Sequence, residues 1–421
     1  MASYRTVAAV NSLTARWAAT LPDDGTVLAA VGVWPLLGLL ADGAAGPARR
    51  ELSDALGIPA DGASTAARDL LTTLGATPGL RTALGLWTRA TLPLEPAWLE
   101  RLPADVHGRL TGDPVADRSL LDAWAASSTD GRIDAMPVAV DDETLLVLAG
   151  ALTLRTDWIR PFEEWPMEAE TGPWCGRELA GLFRSTRLLH RVGVAETAAG
   201  PLTELQVVGA RGIDVHLYLG TPEATAGQVL SAAVATLHHR RAVVPGTHLP
   251  YGAPGPGLSV TRVPSMDGEP RLHVSTVPFT VTAHHDLLDR AELFGLRTAA
   301  DDSQGHFPGI SGKPLAVQAG AQAMTATFGA RGFRSAAVTA LSVMAGGVPD
   351  YPFRVREIDV RFDRPFGFLA LHRTSRLVLN AGWVTDPDTV EHTPHEWADA
   401  GTRQSGDPVV LGSGELPLWL R

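Results

Sequence analysis

Asp214, His216 and Tyr218 alternate along a run whose intervening residues are Val215, Leu217 and Leu219. In a strand that spacing sets an acid, an imidazole and a phenol on one face, which suits proton transfer. The polar face of an ordinary sheet gives the same pattern more often. The pairs His238-His239 and His284-His285, and the run His392-Thr393-Pro394-His395, offer imidazoles for a metal. None has the spacing of a zinc site, and Pro394 breaks any helix that would align its neighbours. The expectation is surface histidines, no metal and no other cofactor. Cys175 is the single cysteine, so no intramolecular disulfide exists. With no evident base beside it, it reads as a buried or idle thiol. The stretch 252–257 lacks the preceding strand and the Lys-Ser/Thr of a phosphate loop, and no Gly-x-Ser-x-Gly elbow or metalloprotease motif occurs. These residues do not point to an enzyme.

The chain is organised around a different kind of chemistry, in residues 332–365. Gly332, Phe333 and Arg334 lead into the small run Ser335-Ala336-Ala337-Val338-Thr339. Residues 340–344 then turn apolar apart from Ser342, and Ala345-Gly346-Gly347-Val348-Pro349-Asp350 is turn chemistry. Connections this long without structure of their own are uncommon in compact domains and usually functional or disordered. The first half nevertheless alternates as a strand does. Counting by two from Phe333, one face carries Ser335, Ala337, Thr339, Leu341 and Val343, the other Arg334, Ala336, Val338, Ala340 and Ser342. It is a loop with the parity of a strand.

The elements around it divide by position. The first third predicts helices: an amphipathic one carrying Val7, Val10, Leu13 and Trp17, then one opened by Pro35 after a short strand at 27–33, and others at 48–56, 66–74 and 96–102. A strand is predicted at 82–88, and residues 120–126 begin a helix before an apolar strand at 145–154. Strands are predicted at 183–195, 205–219, 271–281 and 314–328, with a helix at 287–296 and a Pro/Gly-rich loop at 244–257. Helices followed by strands suit an α+β class.

At 421 residues with 45% hydrophobic side chains, a large core is possible. The net charge of −11 and the absence of any basic run argue against nucleic acid. No apolar run reaches the length of a membrane span. With no signal peptide evident, a cytoplasmic monomer without membrane or nucleic-acid partners is expected. Lys313 is the only lysine among 35 basic residues, which, with abundant Ala and Gly, fits a GC-rich bacterial genome of actinobacterial type.

Five short segments, in order, resemble the serpin family over about residues 4–386. Trp124 with Thr129, Gly131 and Ile133 is similar to the end of a family helix. Residues 145–154 followed by Trp158, Pro161 and Phe162 resemble the central strand and the tryptophan beyond it. The hinge resembles the family's in Gly332, Ser335, Ala336, Ala337, Val338 and Thr339. Residues 360–368 and 377–386 look like the signature after the loop and the closing strand. The resemblance implies one serpin domain over 1–386, with helices around a large central mixed sheet, two further sheets and an exposed reactive-centre loop at about 332–360. Residues 387–421 form a C-terminal extension. It also implies a metastable fold whose loop, once cut, inserts into the central sheet and traps a serine (or cysteine) protease as its acyl-enzyme. A non-inhibitory binding protein is the alternative, and a fold recruited for catalysis a third.

Several positions depart from the family pattern. Phe333 stands where a small Ser or Thr is usual and is expected to be the first side chain taken into the sheet. Trp34, Leu37, Gly150 and Gln322 replace Ser, Ser, Asn and His near the place where the sheet opens, beside Trp158. Counted from the hinge, the scissile bond falls within Met344, Ala345, Gly346, Gly347 and Val348, which suits an elastase- or subtilisin-like protease. Counted back from Pro365, it falls near Arg354.

Overall fold

Local sequence decides where the early helices start and stop. In the computed structural model, which describes residues 2–170, 172–238, 243–333 and 352–389, helix α1 (Tyr4–Ala18) begins where the Ser3 hydroxyl accepts the Thr6 amide. Helix α2 (Ala30–Gly43) is apolar all round and almost wholly buried, as a helix inside a large core must be. It begins at Ala30, well before the expected opening at Pro35, so Pro35 lies inside it and the preceding strand, β1 (Thr26–Leu28), is only three residues long. Helix α3 (Gly46–Leu56) stops at Gly57, which adopts the left-handed conformation, and α4 (Ala60–Gly75) packs on α2.

The central sheet has five strands in the order β15 (Phe279–Asp286), β16 (Ala319–Phe328), β4 (Leu146–Leu154), β2 (Leu80–Arg89), β3 (His107–Leu110). Of its seams, β16–β4 and β2–β3 are parallel and the others antiparallel. Helix α2 packs under this sheet on β2 and β4 and reaches β20 (Val378–Val384) on its other side. Helix α6 (Pro114–Ser128) covers the opposite face, following the short α5 (Pro96–Leu99). Asp113 caps it, and the Thr129 hydroxyl closes it by accepting the Ile133 amide while donating to the Ala125 carbonyl.

A seven-stranded sheet runs β1, β20, β19 (Phe366–His372), β10 (Ile213–Leu219), β9 (Gly200–Val208), β8 (Val192–Thr197), β11 (Val243–Pro245), with α7 (Ala226–His238) on α1 and β19. A six-stranded sheet runs β12 (Gly252–Gly255), β13 (Leu258–Ser265), β18 (Phe353–Arg361), β14 (Arg271–Thr276), β7 (Glu178–Thr186), β6 (Glu163–Glu168). The strands β5 (Thr156–Asp157) and β17 (Gly332–Phe333) pair apart from these, and α8 (Ala291–Phe294) ends at Gly295. Residues 1–389 form one compact unit.

Three long strand runs are each divided. Residues 183–195 break between β7 and β8, 205–219 turn back on themselves between β9 and β10, and 271–281 break at Val277-Pro278, where proline cannot donate to a ladder. Residues 314–318 precede β16 rather than belonging to it. Residues 244–257, expected as a loop, supply β12 and the end of β11. Of the expected extension, Asp388 bonds the Pro278 carbonyl and the Ala180 amide, and Thr389 bridges Leu179. Residues 390–421 lie outside the described residues.

Candidate functional site: the loop stem and the parallel seam

One face of the seam between β16 and β4 is lined mostly by small side chains. Six pairs run from Ala319↔Val147 to Met324↔Leu152, and the face turned to α6 is Val147, Ala149, Ala151, Ala319, Ala321 and Ala323, alanine at all but one position. Of α6 itself only Asp117, Leu121 and Ala125 are buried. Alanines make few dispersion contacts, so helix and seam are held together weakly for their area.

Past Met324 and Leu152 the two strands part. Residues 325–328 pair only with β15, ending in Phe279 stacked on Phe328 at 5.3 Å, and residues 153–154 pair only with β2. The fork is filled by Trp158. Its ring lies 5.0 Å from that of Phe328, its indole N–H donates to the Gly329 carbonyl at 2.9 Å, and its amide donates to the Arg331 carbonyl at 2.9 Å. The Phe162 amide donates to the Ala330 carbonyl. Gly332 and Phe333 then pair with Asp157 and Thr156. A Cβ on Gly332 would stand 2.5 Å from the Thr156 carbonyl oxygen, so no other residue fits there.

Phe333 differs from expectation. It is 1% exposed, with its ring 6.0 Å from that of Phe368 in the seven-stranded sheet. It is already buried, outside the central sheet, and anchors the stem instead of waiting to be inserted. The hinge residues Ser335, Ala336, Ala337, Val338 and Thr339, and the cleavage region Met344, Ala345, Gly346, Gly347 and Val348, lie outside the described residues. Arg354 is exposed but belongs to β18, opposite Pro264 of β13.

The five sheet-opening residues do not form one cluster. Gln322 and Gly150 are register partners midway along the seam. The Gln322 carboxamide accepts the Ala29 amide at 2.9 Å and donates to the Ala29 carbonyl at 2.8 Å, a polar tie between β16 and the start of α2. A Cβ at Gly32 would come within 2.9 Å of Gln322 Nε2, so the helix approaches the strand only because glycine is there. Leu37 is fully buried, and the Trp34 indole N–H donates to the Leu56 carbonyl, joining α2 to α3. Trp158 packs on Phe328, six residues or about 20 Å along β16 from Gln322.

The Asp214, His216 and Tyr218 face is sealed in the seven-stranded sheet. Asp214 accepts three hydrogen bonds from Arg373, at 3.1, 2.9 and 2.7 Å, and one from the Gly209 amide. His216 Nδ1 lies 2.6 Å from Glu204 Oε1, which also accepts the Tyr218 hydroxyl at 3.2 Å. All four are buried, so this is an internal polar network and not an open site. Glu204 was not foreseen, because only the register of β9 against β10 shows that it meets both partners.

Cys175 is exposed, not buried, and its thiol reaches the Glu170 carbonyl at 3.5 Å. On β15 His284 faces solvent, while His285 is buried with Nε2 2.9 Å from the Val27 carbonyl. Among the described residues no cluster suits a metal ion.

This architecture is the serpin fold. A family profile described as serpin (serine protease inhibitor) matches residues 8–171. A protein of Oryza sativa subsp. japonica called putative serpin-Z8 is 26% identical over 415 residues, covering 88% of this chain and 93% of its own. Together these matches support the serpin family. Among solved structures, human thyroxine-binding globulin complexed with thyroxine superposes with a TM-score of 0.70 at 16% identity, covering 91% of this chain and 99% of its own. Native protease nexin-1 with heparin gives 0.67 at 17%, with the same coverage, and a serpin from the trematode Schistosoma haematobium 0.65 at 12%, covering 92% and 100%.

Proposed function

We propose that the chain is a single-use suicide-substrate inhibitor of a serine (or cysteine) protease. The observation that carries this reading is the direction of the chain at the fork. The loop leaves the end of β16, so a cut loop folding back runs antiparallel to both β16 and β4. One inserted strand would exchange a parallel seam for two antiparallel ones, which pair slightly better per residue. Its small side chains would meet the alanine face under α6. A protease acylated near the cut is then carried the length of the sheet before its ester hydrolyses.

The favoured target is elastase- or subtilisin-like, with cleavage within 344–348. Incubation with subtilisin, an elastase and trypsin, followed by denaturing electrophoresis, tests this. A covalent adduct with one of the first two, migrating at the summed mass, is expected. Cleavage without any adduct would sink the inhibitor reading and favour a binding protein. Thyroxine-binding globulin supports that second reading, since its name shows that this fold also serves ligand binding. The Glu204-linked burial of His216 and Tyr218 weakens the catalytic one.

A further inference from the structure

Five arginines from three stretches of the chain converge between the six- and seven-stranded sheets. Arg160 follows β5, Arg184 lies on β7, Arg187 and Arg191 on the connection to β8, and Arg271 opens β14. They surround two hollows that share Arg160, Thr186 and Leu188. The outer one, about 610 Å³, already holds a carboxylate: Asp267 bonds both Arg187 and Arg271 at 3.4 Å.

The inner one, about 80 Å³, does not. It holds Arg160, Arg184 and Arg191, and none of the three has a carboxylate within 4 Å among the described residues. Arg184 lies over the Phe162 ring at 4.1 Å and donates to the Arg160 carbonyl at 2.6 Å, which fixes its guanidinium half-buried at the hollow. Its pKa is pushed down to about 10, by burial first and then by Arg160 and Arg191. Three like charges gathered with no counter-ion among the described residues, in a chain of net charge −11, invite an anion. The remaining wall is apolar, from Leu188, Leu205, Val208, Leu272 and Val274, and Ile159 stands 58% exposed at the mouth. A water needs roughly 10–15 Å³ measured this way, so the hollow takes a carboxylate and a few carbons.

We propose that this hollow binds a small organic monoanion, a carboxylate on a short apolar body. The carboxylate sits between Arg184 and Arg191, where planar guanidinium groups match its oxygens. The apolar body lies on Leu205, Leu272 and Val274 and leaves past Ile159. The site stands independently of protease inhibition.

Octanoate is the probe, titrated calorimetrically at low salt against the full chain, with octanol and inorganic phosphate in parallel. Saturable binding of octanoate is expected, weakened about tenfold or more in Arg184→Gln and in Arg191→Gln and unchanged in Arg262→Gln, an exposed arginine on β13. Arg191→Gln carries the test if Arg184→Gln does not fold, since no hydrogen bond of the Arg191 side chain exists among the described residues to be lost. No octanoate binding, or equal binding by wild type and Arg191→Gln, overturns the proposal. Octanol binding as tightly would make it an apolar cleft, and phosphate binding as tightly a bare anion site. Either outcome also defeats the assignment.

Discussion

Single side chains decide how much polarity this core tolerates. Glu204 is shared by His216 and Tyr218 in the interior of the seven-stranded sheet. Glu204→Ala would take a buried acceptor from both an imidazole and a hydroxyl, and removing one member of such a buried set costs roughly 3–5 kcal/mol. Urea denaturation should show an unfolding free energy lower by that amount, with Tyr218→Phe much milder because it removes only one donor. Burial also lowers the pKa values of His285, His107 and His372, with Arg109 adding to the effect on His107 and Arg290 and His284 on His285. Each therefore stays neutral in the folded chain at a pH where the unfolded chain binds a proton. Their contribution is full above the ordinary histidine value of about 6.5 and is lost as pH falls through it toward the lowered values. The melting temperature should drop on acidification from about pH 7 to about pH 5, less steeply in His285→Gln; identical slopes would remove His285 from the account. At this scale the sequence was legible where a residue's role is local. Thr129, Gly131 and Ile133 close a helix through bonds spanning four or five positions. Glu204 and the arginine cluster were not, since their partners are set by sheet register and by packing between sheets.

At the scale of elements, the hairpin of β12 and β13 changes what the loop's far end can do. β18 is paired with β13 along eight positions and with β14 along five, but residues 353–356 are held by β13 alone. The peptide bond after Arg354 is thus in a ladder, and Arg356 is further tied to the Leu249 carbonyl and lies 4.6 Å from the Tyr251 ring. A protease needs an extended, unpaired segment. Trypsin should leave Arg354 and Arg356 uncut in the intact chain and cut there rapidly in Val260→Pro, which breaks the ladder opposite Ile358. Early tryptic fragments ending at Arg354 in the unmodified chain would restore Arg354 as a scissile residue. The hairpin was illegible because 252–257 is glycine and proline, which read as turn, and because the strand it completes lies about a hundred residues away. β4 was legible, since nine consecutive buried positions leave an apolar run no loop would carry.

The whole molecule was legible through order: five weak segments, each in its place along most of the chain, implied an arrangement of sheets that no one of them fixes. What they did not convey is where the stem of the loop is moored, and that mooring changes the last prediction. Cutting within 344–348 should raise the melting temperature by tens of degrees, because the freed strand can complete the central sheet while Gly332 and Phe333 stay paired with β5. Each new backbone hydrogen bond is worth about 0.5–1.5 kcal/mol net, opposed by an ordering cost of about 1–2 kcal/mol per residue. Raw pairing therefore does not suffice. The additional drive comes from the seam itself, which in the intact chain is thinly packed under α6 and forked beyond Met324. Phe333 no longer counts as an overpacked intruder, being buried against Phe368 before any cut. Phe333→Thr should accordingly lower the melting temperature of the intact chain, a large-to-small change in a core costing about 3 kcal/mol or more, with little effect on the rise after cleavage. Scanning calorimetry of both chains, intact and cut, reads the two quantities separately. An unchanged melting temperature after cleavage of the unmodified chain would mean that the strand does not enter, and a rise abolished in Phe333→Thr would mean that insertion pivots on this side chain after all.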